Sequence, residues 1–234
     1  MVSILLLTLD RLEHTKKYVP QALETAGTPY ELLVCDNGSS DPGVNEFIKT
    51  LNPKLHIRNH ENKGVYTGLN SLLQWATGDY FVKIDNDIEL PNNWLKLFTD
   101  TYKRIPNAGM AGIHTVELLP DPQVVNGVTI HPSGKTYGTM FWSKKVFDKV
   151  GFFNEKFNPY GLGDSEYMVR IEKSGFMNFY LHNVSAVHRG FDGGSPTPYR
   201  KMKSASCSKN IPIYDAAFRE YDRLNNYYLP INNV

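Results

Sequence analysis

Over roughly its first hundred residues the chain alternates short apolar runs with longer mixed segments. That alternation restricts the fold more than any other feature. Val2–Thr8, Glu31–Cys35, Lys54–Arg58 and Asp79–Asp85 read as strands bounded by turn residues. Leu12–Ala26, Val44–Thr50 and Val65–Ala76 lie between them and read as helices. Strands that alternate with helical segments form βαβ units, so the fold class is α/β with a mostly parallel central sheet. Pro20 lacks an N–H and its ring crowds the preceding turn, which predicts a kink or a late start in the first helix. Further on, Trp94–Tyr102, Ser143–Val150, Asp164–Ser174 and Tyr214–Tyr227 read as helices. Gly109–Val116 and Val124–His131 read as strands, as do Met177–Leu181 and Val184–His188 on either side of a turn at Asn183. Residues 189–213, with several Gly, Ser and Pro, read as a long mobile loop. No linker or repeat divides the 234 residues, so one domain is expected.

Composition narrows the function classes. The chain has 25 Lys+Arg against 24 Asp+Glu, a formal net charge of +1, which lacks the basic footprint of a general nucleic-acid binder. Cys35 and Cys207 stand far apart and form no CxxC motif, which argues against a disulfide scaffold or a cysteine zinc site and favours a reducing compartment. The first apolar run, Ile4 to Leu7, is interrupted at once by Thr8 and Asp10 and is too short for a leader or a membrane span. A soluble, cytoplasmic protein is the expectation.

Ligands of open α/β sheets bind beyond the carboxyl ends of the strands. Three polar clusters fall there. Asp36-Asn37-Gly38-Ser39-Ser40-Asp41 follows the second apolar run, Asn62-Lys63-Gly64 follows the third and opens a helix, and Asp85-Asn86-Asp87 follows the fourth. Each alone is ordinary turn or cap chemistry. Two carboxylates spaced i, i+2 on a tight turn suit a hard cation, Mg²⁺ or Mn²⁺, which typically completes its shell with substrate phosphates. Backbone N–H groups at a helix start, as after Asn62-Lys63-Gly64, suit an anion.

In this order the clusters resemble the GT-A glycosyltransferases, specifically the family-2-like group, over about residues 2–190. Val2 to Thr8 with Asp10-Arg11 resembles that family's first strand and the Asn-Arg after it. Asp36 to Asp41 resembles its nucleotide-base loop. Asn62-Lys63-Gly64, Asn70 and Ala76-Thr77-Gly78-Asp79-Tyr80 resemble the stretch leading to its metal motif, and Asp85-Asn86-Asp87 stands where the family has Asp-x-Asp. Ser143 to Phe157 resembles the segment before its catalytic acid, Gly163-Asp164-Ser165-Glu166 its Glu-Asp-x-(Asp/Glu) helix start, and His188 a histidine that often completes the metal site. The resemblance departs from the pattern at Gly163, where a Glu is usual, at Leu69 in place of Arg, and at Ile88 in place of a third acid.

The resemblance implies a GT-A Rossmann-like fold and transfer from a nucleoside diphosphate sugar, a UDP-sugar, with inversion. Residues 1–90 would form the nucleotide-binding half, 91–190 the acceptor and catalytic half, and 191–234 a mobile loop with a C-terminal helix. It implies that Asp36 contacts the base and that Asp85 meets the ribose or the metal. Asp87 and His188 would hold Mn²⁺ or Mg²⁺. Thr8, Asp10, Arg11, Asn62, Lys63, Gly64, Asn70 and Asn86 would complete the donor site. Asp164 would be the general base, with Glu166 the alternative that Gly163 leaves open. The acceptor would be a glycan, a lipid-linked sugar, a protein or a modified nucleic-acid base. Arg189, Arg200, Lys201 and Lys203 read either as a solvated basic surface or as a lid over the diphosphate, and Trp142 and Tyr160 either as core or as stacking platforms. A nucleotidylyltransferase on a related fold would carry a Gly-rich basic loop after its first strand, where this chain has Thr8-Leu9-Asp10-Arg11. A non-catalytic binding relative is the other alternative, and Gly163 is its best argument.

Overall fold

The computed structural model describes residues 1–115, 119–136, 138–190 and 198–223. In chain order its first half runs β1 (Val2–Thr8), α1 (Leu12–Glu24), β2 (Tyr30–Asp36), α2 (Pro42–Thr50), β3 (Leu55–Arg58), α3 (Val65–Leu73), β4 (Tyr80–Ile84), β5 (Ile88–Glu89) and α4 (Trp94–Arg104). The second runs β6 (Ala108–His114), β7 (Gln123–Val125), β8 (Val128–Pro132), β9 (Met140–Ser143), α5 (Lys144–Val150), a 3₁₀ turn at Glu155–Phe157, α6 (Gly163–Lys173), β10 (Met177–Ser185), β11 (Val187–His188) and α7 (Pro198–Arg223).

Nine strands form one sheet in the order β3-β2-β1-β4-β9-β6-β10-β8-β7. The first four are parallel, as the alternating pattern requires, and β6 and β10 are parallel to each other. β9 enters antiparallel between β4 and β6 and joins the halves into one sheet. Strands of such a sheet are buried on both faces and read as unbroken apolar runs. In β1, Ile4 and Leu6 face a core built with α1, α2 and α4, while Leu5 faces a second core built with α3, α5 and α6.

Several expectations are corrected. α1 runs without interruption from Leu12 to Glu24 with Pro20 inside it, so there is no late start. Val124–His131 is a hairpin, β7 and β8, turned at Asn126-Gly127, both in the left-handed region. β10 is one strand through Asn183, whose left-handed backbone accompanies a shift in pairing register rather than a turn between strands. β9 (Met140–Ser143) is a further strand, absent from the strands read from sequence. The largest correction is the long loop. Residues 198–213 belong to α7, and Pro212 lies inside that helix. Residues 191–197 and 224–234, where the rest of the expected loop and closing helix fall, lie outside the described residues. Trp142 is fully buried in the second core, which removes it as a stacking platform.

Candidate active site

β1 is flanked by β2, reached through α1, and by β4, so the strand order reverses at β1/β4. A cavity of about 170 Å³ opens there, beyond the strands' carboxyl ends. Thr8, Arg11, Asn62, Asp85, Asp87 and His188 are among the residues that line it.

His188 arrives from far along the chain. β11 pairs antiparallel with β5, matching His188 with Ile88 and Val187 with Glu89, and this sets His188 Nε2 3.7 Å from Asp87 Oδ1. Asp87 Oδ2 is ion-paired with Arg11 Nη1, and Asp85 Oδ1 lies 2.5 Å from Lys83 Nζ. Asn86 sits between the two acids and donates to Thr15 Oγ1 at 2.9 Å, which fixes the turn onto α1. Among the described residues no cluster of three or more His, Cys, Asp or Glu is arranged to hold a metal. The oxygens of Asp87 and Asp85 and the imidazole of His188 are nevertheless of the donor types that suit Mn²⁺ or Mg²⁺.

The loop after β1 explains how Arg11 reaches Asp87. Asp10 and Arg11 are both left-handed, a conformation that disfavours ordinary side chains. The Asp10 carboxylate offsets this by accepting from Ser40 N at 2.8 Å, Ser40 Oγ at 3.0 Å and Asp41 N at 3.2 Å. Asp10 therefore staples two loops together and holds Arg11 in place rather than meeting a donor itself. Asp36 is fully buried. Its Oδ1 accepts from Ser39 N at 2.9 Å, whereas its Oδ2 has no hydrogen-bond partner among the described residues and lies 3.8 Å from Arg58 Nε. The Thr8 hydroxyl, also buried, likewise lacks one.

The Asn62-Lys63-Gly64 cluster is mainly structural. Asn62 Oδ1 accepts from Gly64 N at 2.8 Å and from Asn37 Nδ2 at 3.0 Å. Lys63 Nζ points to Glu61, 2.5 Å away, on the exposed surface. The start of α3 is closed to an anion by protein: Val65 N donates to Pro159 O at 3.0 Å and Tyr66 N to Asn158 Oδ1 at 3.1 Å. A Cβ on Gly64 would lie 2.3 Å from Asn158, so only glycine allows that approach. Asn70 is another correction. It is fully buried, donates to Phe153 O and Glu155 Oε1 at 2.9 Å each and accepts from Phe153 N at 2.9 Å, so it clamps α3 to the second half of the chain.

The two carboxylates at the start of α6 part company. Asp164 lines a second cavity of about 290 Å³ that shares Val65, Lys83 and Tyr160 with the first. Glu166 is fully buried, with Arg170 Nε 2.7 Å and Nη2 3.1 Å away and the Tyr221 hydroxyl donating to it. The alternative base is thus an internal counter-ion, and of the two acids only Asp164 lines that cavity. Gly163 has a physical reason too: a Cβ there would fall 2.5 Å from the Tyr66 ring, and Tyr66 Oη accepts from Gly163 N at 2.9 Å and from Asp164 N at 3.3 Å. Burial and the nearby Asp164 carboxylate push the Tyr66 phenol's pKa up, so it stays neutral as it caps the helix. Sequence reasoning missed Tyr66, Lys83 and Asn158-Pro159 as site builders. Only Tyr66 carried a signal, the place of a large aromatic one residue into a helix opened by glycine.

A doubly wound sheet, a reversal-point cavity holding Asp85, Asp87 and His188, and a neighbouring cavity with a carboxylate define a GT-A-type glycosyltransferase. The sequence profile of Glycosyl transferase family 2 matches residues 3–154, and the chain belongs to that family. It is 25% identical over 193 residues, 75% of this chain and 71% of the relative, to a PGL/p-HBAD biosynthesis glycosyltransferase of Mycobacterium bovis. The fold is similar to that of a mannosyltransferase of Pyrobaculum calidifontis in complex with GDP-Man and Mn²⁺. That TM-score is 0.63 at 16% identity, covering 95% of this chain and 75% of the other. It is also similar to TarS of S. aureus in complex with UDP, with a TM-score of 0.56 at 16% identity, covering 79% of this chain and 59% of that one.

Proposed function

We propose that this glycosyltransferase moves a sugar from a nucleoside diphosphate sugar, a UDP-sugar, onto an acceptor hydroxyl with inversion, using Mn²⁺ or Mg²⁺. The observation that carries the reading is the pair of adjoining cavities, one with Asp85, Asp87 and His188, the other with Asp164. Asp87 and His188, with Asp85, would hold the cation, which supplies a Lewis acid to the departing diphosphate. Asp36 Oδ2, which has no hydrogen-bond partner among the described residues and faces Arg58, would accept from the N–H of a pyrimidine such as uracil. Asp164 takes the proton of the acceptor hydroxyl beside Val65, Lys83 and Tyr160, the residues common to both cavities. A base on the far side of the sugar from the diphosphate gives inversion. Residues 1–90 carry the donor side and 91–190 the acceptor side, with the late His188 returned to the donor side by β11.

Neighbours in complex with UDP and with GDP-Man and Mn²⁺ support a nucleotide donor and a divalent ion. The acceptor class is a glycan, a lipid-linked sugar, a protein or a modified base. No helix among the described residues is long and apolar enough to cross a membrane. Cys35 and Cys207 are both free thiols, which suits the cytoplasm. The test is thermal unfolding with UDP and GDP, with Mn²⁺ or after chelation. Stabilisation follows the ligand's affinity, so UDP with Mn²⁺ should raise Tm in the natural protein and not in Asp87→Ala. Equal stabilisation with and without metal would remove the cation from this reading.

A further inference from the structure

Across the middle of the sheet one row of side chains runs Leu55, Leu33, Leu5, Lys83, Met140, paired strand to strand from β3 to β9. All but Lys83 are apolar, and Leu33, Leu5 and Met140 are buried in the second core. β4 lies between β1 and β9, so position 83 has a strand on either side. An interior strand of such a sheet ordinarily presents an apolar side chain there. A lysine can take that place by laying its methylenes along the apolar surface and carrying its ammonium to a polar one. The Lys83 side chain is 14% exposed, and its Nζ reaches Asp85 Oδ1, 2.5 Å away on the turn that follows the same strand.

Stability gives little reason for that lysine. The Asp85 side chain is 33% exposed, and ion pairs open to solvent contribute at most about 1 kcal/mol. Replacing even a deeply buried pair by apolar groups is often neutral or stabilising. The place of the ammonium gives a better reason. Val65, Lys83 and Tyr160 line both the cavity with Asp85, Asp87 and His188 and the cavity with Asp164. Of the three, only Lys83 carries a charge. In a displacement with inversion the sugar ring lies between the leaving diphosphate and the base. A diphosphate beside the acidic turn and a base at Asp164 therefore put the ring at the junction that these three residues line. An ammonium has three N–H donors, and the pairing with Asp85 needs only one of them.

We infer that Lys83 binds the transferred sugar, its ammonium donating to a hydroxyl of a hexose held at the junction of the two cavities while Asp85 keeps that ammonium in place. This rests on the nucleotide-sugar reading and adds to it the residue that meets the sugar. A sugar hydroxyl accepts from such an ammonium whichever nucleotide carries it, so the contact selects the sugar and not the base.

Titration calorimetry at saturating Mn²⁺ tests this on the full chain, with UDP beside UDP-glucose, UDP-galactose and UDP-N-acetylglucosamine, and GDP beside GDP-mannose. Lys83→Met keeps an unbranched stem in the apolar row and removes the donors. A hydrogen bond from a charged donor is lost, so the sugar nucleotide that the natural protein binds most tightly should weaken by about tenfold or more. Its parent diphosphate, which lacks the sugar, should change by less than about twofold. Sugar nucleotide and diphosphate weakened alike would overturn the assignment and leave Lys83 as a support for Asp85 alone. An unchanged sugar nucleotide would overturn it too, as would a natural protein that binds a diphosphate but none of the sugar nucleotides. Should Lys83→Met unfold, Lys83→Leu carries the same comparison. If the natural protein binds neither UDP nor GDP, the nucleotide-sugar reading itself fails and this assignment fails with it.

Discussion

Exchanging the two acids of α6 separates stability from chemistry. Glu166 and Arg170 are both almost wholly removed from solvent, with side-chain exposures of 0% and 1%. Glu166→Gln keeps the shape and deletes the charge. The guanidinium would then lose its charged partner Glu166 and keep the neutral acceptors Val150 O at 2.6 Å and Phe152 O at 2.8 Å, and Tyr221 would lose its charged acceptor. Breaking one side of a buried ion pair costs about 3–5 kcal/mol, a large share of the about 5–15 kcal/mol that holds a domain together. The urea midpoint should drop by roughly 1–2 M with an unchanged slope. Asp164 is half-buried, and its Oδ1 accepts from Ser165 N at 2.9 Å, a bond that Asn retains. Asp164→Asn should unfold within about 0.5 kcal/mol of the natural protein and transfer about 10²–10⁴-fold more slowly. Denaturation curves and initial transfer rates, the latter per folded molecule, make the comparison. A Glu166→Gln protein that unfolds at the natural urea concentration yet has lost transfer would refute the reasoning and return the base to Glu166. Full transfer by Asp164→Asn would refute it equally.

Gly190→Ala should loosen the cation side of the site, because a Cβ there would lie 2.0 Å from Asp87 Oδ2 and 2.2 Å from Arg11 Nη1. Displacing a partner of a metal ligand costs about 10–100-fold in metal affinity, readable as Mn²⁺ binding by electron paramagnetic resonance, and unchanged affinity would show that the loop yields freely. Glu31 should add an acid-sensitive increment of stability. Burial raises its pKa, but Lys54, Ser3 and Thr77 outweigh burial and hold it at about 2 against the ordinary 4.5. A lowered folded-state value contributes fully above about pH 4.5 and is lost as pH falls towards 2. Glu31→Gln should therefore flatten the pH dependence of the urea midpoint across that window, and an unchanged slope there would contradict the assignment.

The donor half of the fold was legible because its signals are local. β1, β2 and β4 are largely buried and so read as apolar runs, the edge strand β3 is only partly buried, and each of the four ends on a polar turn that the parallel order brings to one edge. What sequence could not supply was partnership. Asp10, Asn62 and Asn70 carry the residue types of a donor site, yet their atoms are spent on Ser40, Gly64 and Phe153. Asp164 and Glu166 are two residues apart with the same chemistry, and only the packing of Arg170 and Tyr221 tells them apart. The glycines and prolines of residues 189–213 point to a loop. Much of that stretch is helical because Ser206 and Asn210 find buried backbone partners in a segment some fifty residues away, information that no local propensity contains.

His188 reaches Asp87 through a strand of only two residues, and a ladder that short does not hold itself together. Its anchors lie on either side. Ala186 N donates to His114 O at 2.9 Å and Arg189 N to Asp87 O at 2.8 Å, so the backbone is fixed before and after the histidine. The Arg189 guanidinium also meets Glu89, 100 residues earlier, at 2.8 Å through Nε and at 2.7 Å through Nη2. Both of those side chains are more than two-fifths exposed, and such pairs contribute at most about 1 kcal/mol. The backbone bond to Asp87 O therefore does more to set the site than the ion pair beside it. It ties the histidine's strand to the acid it faces, and Gly190 leaves no side chain to push the two apart. A donor set held by main-chain bonds keeps its spacing without a ligand, which suits the cation site proposed for Asp85, Asp87 and His188.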